Sequence, residues 1–245
     1  MSAANPQEQC ELGQHQLMRT EYLHAEETLA QVARQARLSR DYDTLCRVML
    51  PLQEARRQRR QRAGEGVVCL DILAAGPNDT LDAEKLADEF PHGQLLVAGW
   101  GTVLPAANLR RIAWDRRLYL DTFLAAVYPT HTTNLIAIMP EADARLPIPT
   151  PRSADELKRL LPPHSLVLTP DQLPRGPHQG TAETFSFVMN LWEQLHAPYL
   201  AAAEAEPNLS NKITACEKTI DVDYACELAH QKLATAAKSL NRHSR

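Results

Sequence analysis

Residues 67–73, Val-Val-Cys-Leu-Asp-Ile-Leu, decide the fold class, because the sequence changes here from a helical to an extended pattern. Gly64 and Gly66 precede this apolar run, and the turn-forming stretch Ala75–Thr80 follows it. A short run that is rich in β-branched residues and bounded by glycine and proline is typical of a buried strand. The run therefore predicts the first strand of a sheet.

Downstream of this strand, helical and extended patterns alternate. The predicted helices are Leu81–Phe90, capped by Asp79 or Thr80, then Pro105 to about Tyr119, and a helix that ends at Leu161 after the capping box Ser153–Glu156. The further predicted strands are Leu95–Ala98, Thr122–Tyr128, Asn134–Met139 and Ser165–Thr169. The close spacing of the second and third of these predicts an antiparallel hairpin. We therefore expect an α/β fold with a small mixed sheet of about five strands, and an α+β fold is the alternative.

Both ends of the chain carry helical patterns. Thr20–Ser39 and the segment after Asp41 have apolar residues at three- and four-residue steps, and Asp41 is placed to cap the second helix. Two helices that are joined so closely are expected to lie antiparallel. The predicted organisation is a disordered leader at 1–19, an N-terminal helical hairpin at 20–63, an α/β core at 64–180, and a C-terminal helical region at 181–245 that packs with the hairpin.

The N-terminal hairpin resembles a tetratricopeptide-type unit. The residues that carry this resemblance are Leu29, Val32, Ala33 and Ala36 in the first helix, and Tyr42, Leu45, Met49 and Leu52 in the second. The resemblance implies helical hairpins that bind other proteins, with no catalytic residues to carry over. Residues 52–58 and 225–231 resemble stretches of an uncharacterised bacterial protein family, which implies no activity.

Composition excludes several classes of protein. A net charge of −4 and an aromatic content of 5% argue against nucleic acid as a partner. No apolar run approaches the roughly 18 residues that a membrane span needs, and the polar N-terminus has no targeting segment. The five cysteines are odd in number and form no CxxC pair, so we expect free thiols in a cytoplasmic protein.

A run of arginines at the end of the second helix is the first candidate site. Its members are Arg56, Arg57, Arg59, Arg60 and Arg62. This patch could bind phosphates or an acidic protein. The alternative is a solvated helix terminus whose positive charge suits the helix dipole. We favour this alternative, because nucleic-acid-binding proteins usually carry a wider basic field.

The strand ends supply the second candidate site. Asp71 interrupts the first strand, and Gly99, Gly101 and Thr102 lie in the turn that precedes the helix at Pro105. Ligands of open α/β sheets gather at the carboxyl ends of the strands, so these residues could bind a nucleotide or another small molecule. The plainer interpretation is that Asp71 faces solvent or pairs with an arginine. In that case the glycines form a simple turn, since the remaining residues of the dinucleotide and P-loop motifs are missing.

No other pattern indicates catalysis. None of the nine histidines is spaced from another by three or four residues, so we expect no metal site and no cofactor. The chain lacks a GxSxG nucleophile elbow, and we identify no catalytic residue. The sequence favours a non-catalytic interaction or scaffold protein that binds another protein or a second copy of itself. An enzyme or ligand-binding module that uses the strand ends is the alternative.

Overall fold

The computed structural model describes residues 5–141 and 150–243, which contain a six-stranded sheet. Its strands are β1 (Val67–Leu73), β2 (His92–Trp100), β3 (Tyr119–Pro129), β4 (Asn134–Met139), β5 (Leu166–Leu168) and β6 (His178–Gln179). Their order across the sheet is β5-β4-β3-β2-β1-β6. β1, β2 and β3 are parallel, whereas every other neighbouring pair is antiparallel. The predicted α/β fold with a mixed sheet is confirmed.

The order of the elements along the chain explains the mixed sheet. Parallel neighbours need a crossover connection, which α4 (Ala83–Glu89) and α5 (Leu104–Asp115) provide. β3 and β4 are joined by a short turn, in which the Thr130 N–H donates to the Thr133 carbonyl at 2.9 Å. They therefore pair as the antiparallel hairpin that the sequence predicts. A further helix, α6 (Ala154–Leu160), precedes β5.

The described chain divides into two compact units. The helical unit contains the described residues up to Arg60 and those from His196 onward, and the sheet unit spans Gln61–Leu195. The remaining helices are α1 (Pro6–Met18), α2 (Tyr22–Ser39), α3 (Tyr42–Gly64), α7 (Ala182–Ala205), α8 (Leu209–Val222) and α9 (Glu227–His243). α3 and α7 cross the boundaries and so contribute residues to both units. None of the described helices combines the length and the apolar composition that crossing a bilayer requires.

The core of the helical unit joins residues from the two ends of the sequence. Leu29 of α2 and Leu45 of α3 are buried in the same cluster as Ile213 of α8 and Leu233 of α9. Each such side chain stabilises the fold by about 1.5–3 kcal/mol when it leaves water. The predicted cap of α3 is confirmed, since the Thr44 N–H donates to Asp41 Oδ1 at 3.0 Å.

The predicted disordered leader is wrong for residues 6–18, which form α1; residues 1–4 lie outside the described part. Asn5 caps this helix by accepting the Gln7 N–H at 3.1 Å, and Pro6 occupies its first turn. Gly13 is buried so close to Leu29 that an added Cβ would lie 2.6 Å from that side chain. This contact could not be predicted from the sequence, because a glycine adds nothing to an apolar stripe.

Other features of the sheet unit also differ from the prediction. α5 ends at Asp115 and not near Tyr119, because Arg117 has a φ of 54° and the Leu118 N–H turns back to the Ala113 carbonyl. Asp82 caps α4 in place of Asp79 or Thr80. The sequence predicts no strand after Thr169, but two residues there form β6, at the edge of the sheet beside β1.

Candidate functional site

An apolar groove lies in the helical unit between α2, α3, α8 and α9. Its volume is about 350 Å³. Ala30 and Ala33 of α2 are small enough to leave space opposite Leu45 and Met49 of α3, and Leu233 of α9 also lines the groove. Ligand pockets commonly enclose roughly 300–1,000 Å³. The groove is therefore sized for a few apolar side chains and is small for a large cofactor.

An ion pair links two walls of this groove. The Arg37 Nε of α2 donates to both carboxylate oxygens of Glu217 on α8, at 2.9 and 3.2 Å. The Arg37 Nη2 donates to the Thr214 hydroxyl at 3.0 Å. Burial raises the pKa of Glu217 above its ordinary value, although the Arg37 guanidinium opposes this shift. Folding thus removes water from the Glu217 carboxylate, and its ion pair with Arg37 partly offsets this loss.

The α2 side of the groove also carries an exposed leucine and an exposed arginine. Leu38 is 86% exposed although it lines the groove. Arg34 is exposed as well, and within the described part of the chain it forms no ion pair. Leu38 thus extends the apolar surface of the groove toward solvent, and contiguous apolar surfaces mark interaction sites.

A second groove in the helical unit has a more polar lining. Its volume is about 490 Å³, and it lies between the end of α7, α8 and α9. Glu204 and Lys232, two of its lining residues, form an ion pair at 2.8 Å. Apolar side chains would gain less here, because such polar groups would lose their hydration.

The arginine run does not form one exposed patch, so the predicted anionic-partner surface is wrong for three of its five members. Arg56 and Arg59 share the buried carboxylate of Glu26, at 3.2 and 3.0 Å. Arg60 is 2% exposed and lies 2.8 Å from Asp223. α3 continues beyond the run to Gly64, so positions 56, 59 and 60 still belong to its buried face.

The other two arginines of the run pair at the surface. Arg57 donates to Glu54 of the preceding turn, at 2.7 and 2.8 Å. Arg62 lies 3.1 Å from Glu65 and is about half exposed. Each guanidinium therefore has a carboxylate on the same stretch of chain, as expected for a solvated helix surface.

Asp223 is the centre of a buried charge cluster. Besides Arg60 it binds His196, whose Nδ1 lies 2.7 Å from Asp223 Oδ2, and it accepts the Ala225 N–H at 3.1 Å. Burial disfavours the charged form of His196, but its hydrogen bonds to Asp223 and Cys226 outweigh this effect and raise its pKa to about 10. Burial likewise opposes ionisation of Asp223, yet Arg60 and His196 lower its pKa. The cluster is thus a carboxylate held between two cations.

A second buried histidine of the same unit, His230, has a lowered pKa. Burial and the nearby Arg56 lower the pKa of His230 to about 4. Its Nδ1 lies 2.8 Å from the Cys226 carbonyl, and its Nε2 lies 3.1 Å from Arg56 Nη1. A neutral imidazole that donates to the carbonyl and accepts from the guanidinium satisfies both contacts.

Asp223, His196 and Cys226 bring a carboxylate, an imidazole and a thiol together. This order of groups is the one that activates a nucleophilic cysteine. A nucleophile must be reached by its substrate, however, and Cys226 is only 4% exposed while Asp223 is 1% exposed. We therefore assign the cluster a structural role. The cluster could not be predicted from the sequence, because His196 is 27 residues from Asp223 and no local spacing indicates the contact.

At the predicted strand-end site, the polar groups are already hydrogen-bonded within the protein. Asp71 Oδ2 accepts the Gly176 N–H at 2.7 Å and so holds the loop before β6. In the turn after β2, the Gly101 N–H donates to the Val127 carbonyl at 2.8 Å. Thr102 Oγ1 accepts the Leu104 N–H at 3.2 Å. Backbone donors that would bind a phosphate are thus already used inside the protein.

The glycines of this turn have a local explanation. Gly101 has a φ of 60°, a conformation that glycine adopts without strain. A Cβ on Gly99 would lie 2.7 Å from the Thr102 carbonyl oxygen. Among the described residues, no hydrogen bond joins Asp71 to this turn. The structure therefore places both parts near the carboxyl ends of the neighbouring strands β1 and β2, without a hydrogen bond between them.

The described residues contain no group of three or more His, Cys, Asp or Glu side chains that could hold a metal ion. All five cysteines are free.

No known protein family, no curated protein and no solved structure matches this chain.

Proposed function

We propose that the protein is a non-catalytic protein-interaction module, and that its groove between α2, α3, α8 and α9 binds the apolar side chains of a partner helix. The observation that carries this proposal is the groove itself: a depression of about 350 Å³ with an apolar lining, beside the exposed Leu38. An amphipathic helix that places one apolar face in such a groove is a common mode of protein recognition.

Two further features support the proposal. The tetratricopeptide-type resemblance of the first hairpin implies protein binding, and Leu45, Met49 and Leu52 of that hairpin all line the groove. The free cysteines are in keeping with a reducing compartment, so we place the interaction in the cytoplasm.

The rival enzymatic function finds less support. Asp71 and the turn at Gly99–Thr102 bond to the protein's own backbone, and Cys226 beside His196 is buried. Any of these groups would first have to give up its present contacts before it could bind a substrate.

A peptide selection on the full-length chain tests the proposal. Random helix-forming peptides of about four turns are displayed and selected for binding. Affinities of the winners are then measured for the wild type and for two matched variants, Leu38→Gln and Leu50→Gln. Leu38 lines the groove, whereas Leu50 is an exposed leucine on α3 that does not. Neither substitution removes a buried side chain, so both variants are expected to fold.

We expect Leu38→Gln to weaken binding about tenfold, because the leucine loses the burial that the partner would provide. Leu50→Gln should leave the affinity unchanged. Winners that bind both variants as tightly as the wild type would contradict the proposal. So would a dimer of the free protein that dissociates on Leu38→Gln, since the groove would then be filled by a second copy.

A further inference from the structure

Resting on the proposed function, we infer that the partner helix is acidic, and that its carboxylates bind Arg34 and Arg37 at the edge of the groove. The two arginines are three residues apart on α2 and therefore lie on the same side of this helix. One helical partner that lies along the groove would meet both.

Arg34 is the first contact. It is exposed, it lines the groove, and within the described residues it has no carboxylate of its own. The exposed Leu38 lies one turn further along the same helix. A partner that covers Leu38 thus brings its own side chains within reach of Arg34, where a carboxylate gains a charge-assisted hydrogen bond.

Arg37 is the second contact, and there the partner carboxylate takes the place of Glu217. Its Nε already donates to both oxygens of Glu217, so this guanidinium binds a carboxylate in the free protein. A partner carboxylate can replace Glu217 without loss of hydrogen bonds to Arg37. Glu217, whose pKa burial raises, regains water when it is released.

The lining of the groove favours a peptide over a nucleic acid. None of its described lining residues is aromatic, so bases would find no stacking platform there. The apolar lining from Ala30, Ala33 and Met49 suits aliphatic side chains. A phosphodiester backbone that bound the two arginines would leave this lining uncovered. A carboxylate beside apolar side chains, as on an amphipathic acidic helix, fits both parts of the surface.

The peptides selected above also test this inference. Each groove-dependent peptide is synthesised with its Glu and Asp residues intact and with Gln and Asn in their place. Both forms are titrated into full-length wild type, Arg34→Glu and Lys238→Glu. Lys238 is an exposed residue of α9 that does not line the groove, so its variant makes the same change in net charge elsewhere in the helical unit.

We expect the selected peptides to be rich in Glu and Asp, and Arg34→Glu to weaken their binding at least about fivefold. The amide peptides should bind more weakly and lose this dependence on Arg34, and Lys238→Glu should have no effect. If binding requires Leu38 but is indifferent to Arg34→Glu and to the amide replacements, the groove function stands and the acidic partner is overturned. A mixed-sequence oligonucleotide that binds through Arg34 and displaces the peptides would also overturn it.

Discussion

The helical unit and the sheet unit use buried polar groups in different ways. In the helical unit, Glu26, Arg60, Asp223 and His230 are buried, and carboxylates bind cations of other helices. The buried polar residues of the sheet unit, Gln94, Asp121 and Thr122, lie on neighbouring strands whose register the backbone already sets.

This difference arises because the backbone groups of strands and of helices bond to different partners. A strand shares its N–H and C=O groups with the next strand, so pairing and register are fixed by the backbone. A helix satisfies its backbone internally, so only side chains can determine which helices pair. We suggest that the carboxylate–cation contacts of α2, α3 and α8 perform this selection, since buried charges tolerate few alternative partners.

Substitution of Asp223 by Asn should have the largest effect on stability. The change leaves Arg60 and the His196 imidazolium buried without their carboxylate, which should lower the free energy of unfolding by about 3–5 kcal/mol. Urea denaturation followed by circular dichroism measures this quantity.

Asp115→Asn is the control from the sheet unit. It breaks the exposed pair with Arg111 at 3.2 Å, which should cost less than about 1 kcal/mol. Similar losses of unfolding free energy for the two variants would contradict a stabilising role for the buried Asp223 cluster.

The free energy of unfolding should depend on pH through the charge of His196. Its pKa is raised from 6.5 to about 10 in the folded protein, so its contribution is fully present below pH 6.5. The contribution then declines as the pH rises and is lost above pH 10. Between these limits the slope approaches about 1.4 kcal/mol per pH unit for one proton.

The measurement is the difference in unfolding free energy between the wild type and His196→Gln. From pH 7 to pH 9 this difference should narrow by about 2–3 kcal/mol. His230 does not interfere, because its lowered pKa of about 4 keeps it neutral throughout this range. A difference that stays constant would show that His196 is not charged in the folded protein.

Asp71→Ala should have a smaller effect than the substitutions of Asp223 and His196. In the structure, Asp71 accepts the Gly176 N–H and holds a loop. Loss of this charge-assisted hydrogen bond should lower the unfolding free energy by about 1.5 kcal/mol. A gain in stability would instead indicate a strained site residue, because active-site groups are often retained at the expense of stability.

Five of the six described strands could be predicted from the sequence, because their signals are local. The apolar run at 67–73 and the two runs joined by the turn at 129–133 each indicate a strand without reference to distant residues. The signals for the Asp41 cap and for α6, which follows Ser153, are local as well.

The groove and the buried charges could not be predicted in this way. Glu217 binds Arg37 at a separation of 180 residues, and Arg60 meets Asp223 across a similar distance in the sequence. The arginine run looked like a surface patch, because nothing nearby in sequence supplies the carboxylates of Glu26 and Asp223. The short helix α1 was missed for a related reason, since its buried residues Cys10 and Gly13 are small.

The methyl NMR signals of methionine provide the most direct test of the groove as a docking surface. Met49 lines the groove in the helical unit, whereas Met139 is buried in β4 of the sheet unit. On titration of the ¹³C-methyl-labelled full-length protein with a selected peptide, we predict that the Met49 signal shifts in proportion to binding while the Met139 signal stays unchanged. A shift of Met139 with Met49 unaffected would place the partner on the sheet unit and contradict the account.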